Sequence, residues 1–293
     1  MTKQFRMGVC QMASEVADMD ANFERTRDAV LKAKELGIQV LLFPELGLSG
    51  YKVGDRFHEV ALRLDSPIMN ELRALSQDVA IVQGFVEETS DLQFFNSSVY
   101  LSQGEIRHVH RKIYPPNYGI FDERRYFGAG VEVRAFDTRH GRMAMLICGD
   151  CWHLSLPYLA AHDGADVLLI LAASPDEGLG PTNSCRAAWE RMTQSYALTL
   201  SCFVGFSNHA GYHGGLHFWG GSHIIGPDGN IMNQANIGAP DLIYSDVDMT
   251  RLRTQRMILP FRRDDSLGYT IEAGKRILRN KFKRRDHFVA ETS

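Results

Sequence analysis

The chain has 293 residues, 44% of them hydrophobic, and a formal net charge of −3, which is typical of a globular protein of one large or two ordinary domains. Acidic and basic residues nearly balance, so the composition gives no support for binding to nucleic acid or an anionic membrane. No apolar run reaches the roughly 20 residues that span a bilayer. The N-terminus lacks a secretory signal pattern, and five cysteines do not make a disulfide framework. We therefore expect a cytoplasmic protein with reduced cysteines.

Hydrophobic periodicity predicts alternating strands and helices in the first half of the chain. The predicted strands are residues 6–12, 38–43, 80–86, 97–101 and 106–110, and the predicted helices are 22–35 and 69–77. Such alternation is typical of βαβ units on a layered sheet.

The second half continues the alternation. It predicts strands at 143–147, within 164–174, at 202–206 and at 242–247, helices at 154–162 and 186–200, and a hairpin around 220–231 with Asp-Gly in its turn. Residues 5–12 and 37–45 also resemble 141–150 and 164–174. Two related halves around one core and two generic βαβ units explain this echo equally well. From residue 250 the chain is arginine-rich and loses periodicity. We therefore predict one domain over 1–250 and an extension over 251–293 that packs on the domain or on a partner subunit.

One apolar run ends abruptly at a cysteine. Met143 to Ile147 predict a buried strand, and Cys148, Gly149 and Asp150 follow it. Ligands and catalytic groups gather at the carboxyl ends of strands in α/β sheets. Unpaired amides and the dipole of the following helix would favour a thiolate there. The position alone leaves Cys148 open as a nucleophile, half of a redox pair, a metal ligand or a core residue.

Three further residues occupy comparable positions. Glu45 follows a fully apolar strand and a proline, Lys112 follows the strand at 106–110, and Glu123 lies a short distance beyond Lys112. Taken singly, Glu45 and Lys112 fit a solvated surface position at least as well. Together with Cys148 they could converge on one pocket.

With their flanking residues, these positions resemble the motifs of the carbon–nitrogen hydrolase (nitrilase) superfamily. FPELGLSGY is similar to its glutamate motif, HRKIYPPNYGIFDERRYFGAG to its lysine motif with the second glutamate, and LICGDCWHLSLPYLAAHDGADVLLILAASP to its nucleophile motif. The resemblance covers about residues 5–250. It implies an α/β fold, a four-layer α-β-β-α sandwich, that commonly forms a homodimer or a higher homo-oligomer.

The resemblance and the chemistry of thiols imply the same mechanism. Glu45 would take the proton of Cys148, since a free thiol with a pKa of about 8.5 is a poor nucleophile. Lys112 and the Gly149 N–H would hold the oxyanion, and Glu123 would position Lys112. No metal or cofactor is required. The expected substrate contacts, each of which could equally be a packing residue, are Tyr51, Tyr118, Trp152 and Ser174.

Within the superfamily, the motifs are most similar to the amidase domain of glutamine-dependent NAD synthetases and its free-standing relatives. Residues 176–181, where those domains read the amino acid end of their substrate, are acidic and glycine-rich here, and Arg186 is the nearest arginine. The sequence therefore does not predict recognition of an α-carboxylate. We expect hydrolysis of a small linear amide by water. N-carbamoyl compounds, nitriles, acyl transfer to an amine and a separate partner that uses the released ammonia stay open.

Three alternatives from other classes compete with this hypothesis. Cys148 and Cys151 form a C-x-x-C, as in thiol–disulfide redox proteins, although no proline lies between the cysteines. Four histidines at 209, 213, 217 and 223 could bind a metal, but the segment is too glycine-rich for a helix that would align them, which favours a solvated or substrate-rim loop. A non-catalytic binding scaffold would not need Glu45, Lys112 and Cys148.

Overall fold

The computed structural model describes residues 4–179 and 184–290, with side chains described as far as residue 281. In chain order the strands are Gln4–Gln11 (β1), Val40–Leu42 (β2), Ala80–Glu88 (β3), Phe94–Ser102 (β4), Glu105–Arg111 (β5), Ala135–Thr138 (β6), Gly141–Ile147 (β7), Val167–Leu171 (β8), Phe203–Ser207 (β9), Ala210–His213 (β10), Leu216–Trp219 (β11), His223–Ile225 (β12), Ile231–Gln234 (β13) and Asp241–Asp248 (β14). The helices are Met19–Glu35 (α1), Pro67–Leu75 (α2), Ser155–His162 (α3), Cys185–Thr199 (α4), Met249–Ile258 (α5), Phe261–Asp264 (α6) and Leu267–Ala290 (α7).

Twelve of the described strands form two six-stranded sheets with the same pattern of parallel and antiparallel pairs, and β10 and β11 pair separately. The first has the order β14-β1-β2-β3-β4-β5 and the second the order β6-β7-β8-β9-β12-β13. In each, three central strands are parallel, β1 to β3 in one and β7 to β9 in the other, and the remaining pairs are antiparallel. The internal echo of the sequence therefore corresponds to two halves with one topology.

Three apolar clusters hold four layers together. Side chains of β1, β2, β7 and β8 meet in a cluster between the two sheets, with Met7 and Leu169 among its fully buried members. A second cluster packs α1 and α2 on the first sheet, and a third packs α3 and α4 on the second. The predicted four-layer α-β-β-α sandwich is confirmed.

Helix starts follow local sequence signals. The Asp18 carboxylate accepts from the Ala21 N–H at 3.0 Å, and the Ser184 hydroxyl accepts from the Ala187 N–H at 3.2 Å, so each side chain caps its helix. Ser66 does the same for α2, whose first residue is proline.

Two regions differ from the sequence prediction. The glycine-rich segment predicted as a loop forms the β10–β11 hairpin, because Gly214 and Gly215 take the positive φ angles of its turn. The C-terminal segment without clear periodicity is helical. It contacts the second half through Arg256, which pairs with Asp166 at 2.8 Å, and Arg262, which donates to the Ala165 carbonyl at 3.1 Å. No helix within the described residues is long and apolar enough for a bilayer.

Candidate active site

Glu45 lies just past the end of β2 and is fully buried. Its loop packs so closely on β3 that a Cβ on Gly84 would lie 2.6 Å from both the Pro44 carbonyl oxygen and the Leu46 nitrogen. Only glycine at position 84 allows the loop to come this close to β3, and this contact fixes the distance of Glu45 from the sheet. The backbone is also tied to the second half, because the Glu45 N–H donates to the Ala172 carbonyl at 3.4 Å.

Lys112 joins the two predicted glutamates. Its Nζ lies 2.6 Å from Oε1 of Glu45 and 2.7 Å from Oε1 of Glu123, and its side chain is fully buried. Burial alone would lower the pKa of Lys112, but the carboxylates of Glu123 and Glu45 raise it above its ordinary value. The ammonium therefore stays charged in an apolar interior, as an oxyanion partner must.

Asn96 and Tyr51 complete this cluster. The Asn96 amide donates to Oε1 of Glu45 at 2.8 Å and to Oε2 of Glu123 at 3.2 Å, and the Tyr51 hydroxyl donates to Oε1 of Glu123 at 2.6 Å. Burial, with the nearby charge of Glu45, raises the pKa of Glu123 against the opposing effect of Lys112. Among described residues Oε2 of Glu45 has no hydrogen-bond partner, so this oxygen is available to accept a proton.

Cys148 begins a single 3-10 turn directly after β7. Its φ is +39°, a left-handed conformation that is strained for a residue with a Cβ. A Cβ on the next residue, Gly149, would lie 2.6 Å from the Tyr114 carbonyl oxygen and 3.3 Å from Cε of Lys112. Glycine is therefore required for the lysine and the nucleophile turn to approach each other.

The sequence position favoured a thiolate at Cys148, whereas the surroundings of the buried side chain favour the neutral thiol. Burial, followed by the negative charge of Glu45, raises the pKa of Cys148 well above its ordinary value, and Lys112 opposes this only in part. The helix α3 begins at Ser155, too far along the chain for its dipole to act within its first turn. Cys148 thus needs a base, and the Glu45 carboxylate interacts with it directly through its charge.

Asp150 ties the nucleophile turn to the lysine loop. Its carboxylate accepts from the backbone N–H of Ile113 at 2.9 Å, of Tyr114 at 3.0 Å and of Ile147 at 3.1 Å. Nε2 of the buried His110 lies 2.8 Å from it. Burial acts to raise the pKa of Asp150, but the hydrogen bonds from His110 and the backbone outweigh it and hold that pKa below its usual range.

The end of β9 supports both halves of the site. The Asn208 side chain accepts from the Ser174 N–H at 2.8 Å and donates to the Ser174 carbonyl at 3.1 Å. Nε2 of His209 lies 2.6 Å from the Glu45 carbonyl oxygen. Burial lowers the pKa of His209 to about 3, so the ring is neutral and donates from Nε2.

A pocket of about 20 Å³ opens beside Cys148. Of the predicted site residues, it is lined by Gly149, Tyr118, Trp152 and Ser174. Tyr51 lies behind Glu123 and does not line this pocket.

The redox and metal-binding hypotheses depend on Cys148 with Cys151 and on the four histidines, respectively. All five cysteines are free and buried, including Cys148 and Cys151. His209 binds the Glu45 carbonyl, His223 lies 2.9 Å from the Thr193 hydroxyl, and His213 stacks on Phe218. Among the residues described, no three His, Cys, Asp or Glu side chains are grouped as metal ligands.

Sequence reasoning missed Asn96, His110, Asp150, Asn208 and His209 as parts of the site. Except for His110, which lies in an alternating strand, each follows or interrupts an apolar strand with a polar side chain, as Asn96 does in the run FFNSSVYL. That signal was present, but a polar residue in a strand marks a site only when its partners are known.

Comparison with known proteins agrees with the geometry. The family model described as carbon-nitrogen hydrolase matches residues 6–257. The chain is 28% identical over 257 residues to a glutamine-dependent NAD(+) synthetase of Acinetobacter baylyi, which covers 87% of this chain and 46% of that protein. It is 24% identical to a citrullinase of Francisella tularensis, covering 83% of this chain and 89% of that protein. The chain thus spans about half the length of the synthetase it matches.

A solved structure confirms the fold. A carbon–nitrogen hydrolase from Helicobacter pylori superposes with a TM-score of 0.79 at 21% identity, over 92% of this chain and 98% of that one. The family match spans more than half of the chain. The protein is therefore a member of the carbon–nitrogen hydrolase family, whose enzymes hydrolyse carbon–nitrogen bonds other than peptide bonds.

Proposed function

We propose that this protein hydrolyses the carbon–nitrogen bond of a small linear amide through a thioester on Cys148. The observation that carries the proposal is the buried Glu45–Lys112–Glu123 cluster, in which one Glu45 oxygen has no hydrogen-bond partner among the described residues. The charge of Glu45 acts on the Cys148 thiol and, with burial, raises its pKa.

The first half-reaction forms the thioester. Glu45 takes the thiol proton as the Cys148 sulfur attacks the amide carbonyl carbon. Lys112 and the Gly149 N–H stabilise the oxyanion that develops. Glu45 then returns the proton to the amide nitrogen, the carbon–nitrogen bond breaks, and ammonia or an amine leaves.

The second half-reaction releases the acid. Glu45 takes a proton from a water molecule that attacks the thioester, and the Cys148 sulfur leaves and recovers the proton. Glu123 acts as a positioning residue, because its hydrogen bonds to Lys112 and Tyr51 hold the ammonium in place. No step requires a metal or a cofactor.

Ammonia release from a panel of primary amides tests the proposal. We expect turnover by the native protein and none by Cys148→Ala. A Cys148→Ala variant with full activity would contradict it. If nitriles or N-carbamoyl compounds are hydrolysed at a higher kcat/KM than every amide, the substrate belongs to one of those classes and is not a linear amide.

We also propose that the protein acts in the cytoplasm as a homodimer or higher homo-oligomer. Large apolar side chains on α5 to α7 are exposed in the single chain, among them Met257, Ile258, Phe261 and Tyr269. Burying such a surface against a second copy is favourable. Light scattering should give a mass of at least two chains, and a monomer at micromolar concentration would contradict this part.

A further inference from the structure

The cavity beside Cys148 has mainly apolar walls. Among the described residues its apolar lining consists of Pro116, Phe121, Trp152, Leu179 and Trp189. Trp152 and Trp189 meet edge to face, with ring centroids 5.5 Å apart. The wall at Gly178 is tight, because a Cβ there would lie 3.3 Å from both Phe121 and the Cys185 sulfur. Apolar walls of this kind stabilise an acyl chain by taking it out of water.

Three cationic side chains near the cavity already have partners within the protein. Lys112 is paired with two carboxylates in the catalytic cluster. Arg186, at the start of α4, directs its Nε at Glu190 across 2.9 Å. Arg124 lies outside the cavity, in the neighbouring groove with Tyr114, and its Nε donates to the Pro115 carbonyl at 3.1 Å. No charged side chain is among the described residues that line the cavity.

The charges that follow the Ser174 wall are negative. Asp176 and Glu177 are exposed between Ser174 and Gly178, and Asp176 pairs with His217. A carboxylate carried into this cavity would lose its hydration, find no cation on the described walls and approach these acids. An uncharged chain would meet none of these costs.

From these walls, and on the basis of the proposed amide hydrolysis, we infer that the enzyme takes amides of small uncharged aliphatic acids. It rejects amides whose acyl chain carries a carboxylate, glutamine included. Phe121, Leu179 and Cys185 are the specificity-determining residues, because they form the wall that the acyl chain contacts.

Three small amides, of which the first two have equal size, test this inference on the native enzyme. Butyramide ends in a methyl group, 3-aminopropionamide in an ammonium and succinamate in a carboxylate. We expect kcat/KM to fall in that order, with butyramide at least about 100-fold above succinamate, since a carboxylate that enters an apolar cavity loses its hydration without gaining a partner. Succinamate or glutamine at or above butyramide would overturn the inference.

A wall variant sharpens the test. Leu179→Lys places a cation on the cavity wall and should narrow the butyramide-to-succinamate ratio by about tenfold through charge complementarity. Leu159→Lys, on the exposed side of α3, is the matched control and should leave the ratio unchanged. An unchanged ratio in folded Leu179→Lys would contradict the assignment of Leu179.

The failure of this inference differs from the failure of the proposed function. If the three amides are hydrolysed in another order, only the substrate class is wrong. If no amide is hydrolysed and iodoacetamide does not label Cys148, the proposed function itself fails, and the inference falls with it.

Discussion

The two halves share one topology but carry different chemistry. Met7 pairs with Val40 in the first sheet as Met143 pairs with Val167 in the second. Five positions further along each strand, the first half has Met12 and Glu45, and the second has Cys148 and Ala172. In the proposed mechanism each half thus supplies one reacting residue, and the counterparts, Met12 and Ala172, have no ionisable side chain.

A symmetric scaffold forms an asymmetric site here because each half adds different side chains at equivalent strand ends. The duplicated parallel strands bring their carboxyl ends together, and the Glu45 N–H even donates to the carbonyl of Ala172. The first half then adds Lys112 and Asn96, which hold the base, while the second adds the strained turn that presents the thiol. Base and nucleophile can therefore be altered separately.

The largest effect is expected from removing the base of the first half. Glu45→Gln keeps the shape of the side chain but cannot take the thiol proton, so kcat/KM should fall by about 10²–10⁴. Alkylation of Cys148 by iodoacetamide should become faster, because the variant lacks the Glu45 charge that helps to raise the pKa of the thiol. Glu87→Gln, which alters a buried carboxylate paired with Arg111 elsewhere in the same sheet, is the control. Hydrolysis at the native kcat/KM in Glu45→Gln would contradict the assignment of Glu45 as the base.

The connection between the halves is tested at Asp150. Asp150→Asn replaces an acceptor of three backbone N–H bonds with a group that also donates, so the free energy of unfolding in urea should fall by about 3–5 kcal/mol. Because the folded pKa of Asp150 is lowered, its contribution is present above pH ~3.9 and is lost as pH falls below that value. The exposed Asp91→Asn is the control and should have little effect. Unchanged stability in Asp150→Asn would show that the carboxylate does not join the two loops.

Acid should destabilise the second half through its buried histidines. Burial lowers the pKa of His209 to about 3 and of His213 and His223 to about 4. Between pH ~6.5 and those values the unfolded chain binds protons that the folded chain does not, so stability falls as pH decreases. Each histidine contributes a slope of up to about 1.4 kcal/mol per pH unit. His209→Gln should make the pH dependence of the unfolding free energy shallower, and an identical slope would refute the assignment.

The smallest effect is expected at the second cysteine of the C-x-x-C. Cys151 is fully buried, outside the pocket, and its pKa is raised well above the usual range by burial. Cys151→Ser should leave amide hydrolysis close to the native rate. Loss of activity in a folded Cys151→Ser protein would revive the dithiol hypothesis.

Much of the fold was predictable because strand and helix periods are local. Glu45, Lys112, Glu123 and Cys148 were also predictable, since each follows a recognisable apolar run or motif. The direction of the Cys148 pKa was not, because burial and the charge of Glu45 exist only once distant segments meet. The hydrogen bonds of Asp150 to the Ile113 N–H and of His209 to the Glu45 carbonyl were not predicted for the same reason, because these partners lie far away in the sequence.

The central claim is that a first-half carboxylate activates a second-half thiol to form a thioester. Intact-mass measurement of the Glu45→Gln variant, incubated with butyramide and quenched in acid, tests it most directly. The account predicts a slowly formed butyryl adduct that peptide mapping places on Cys148 and that Cys148→Ala lacks. A butyryl adduct on another residue, or hydrolysis at the native rate in Cys148→Ala without any adduct, would contradict it.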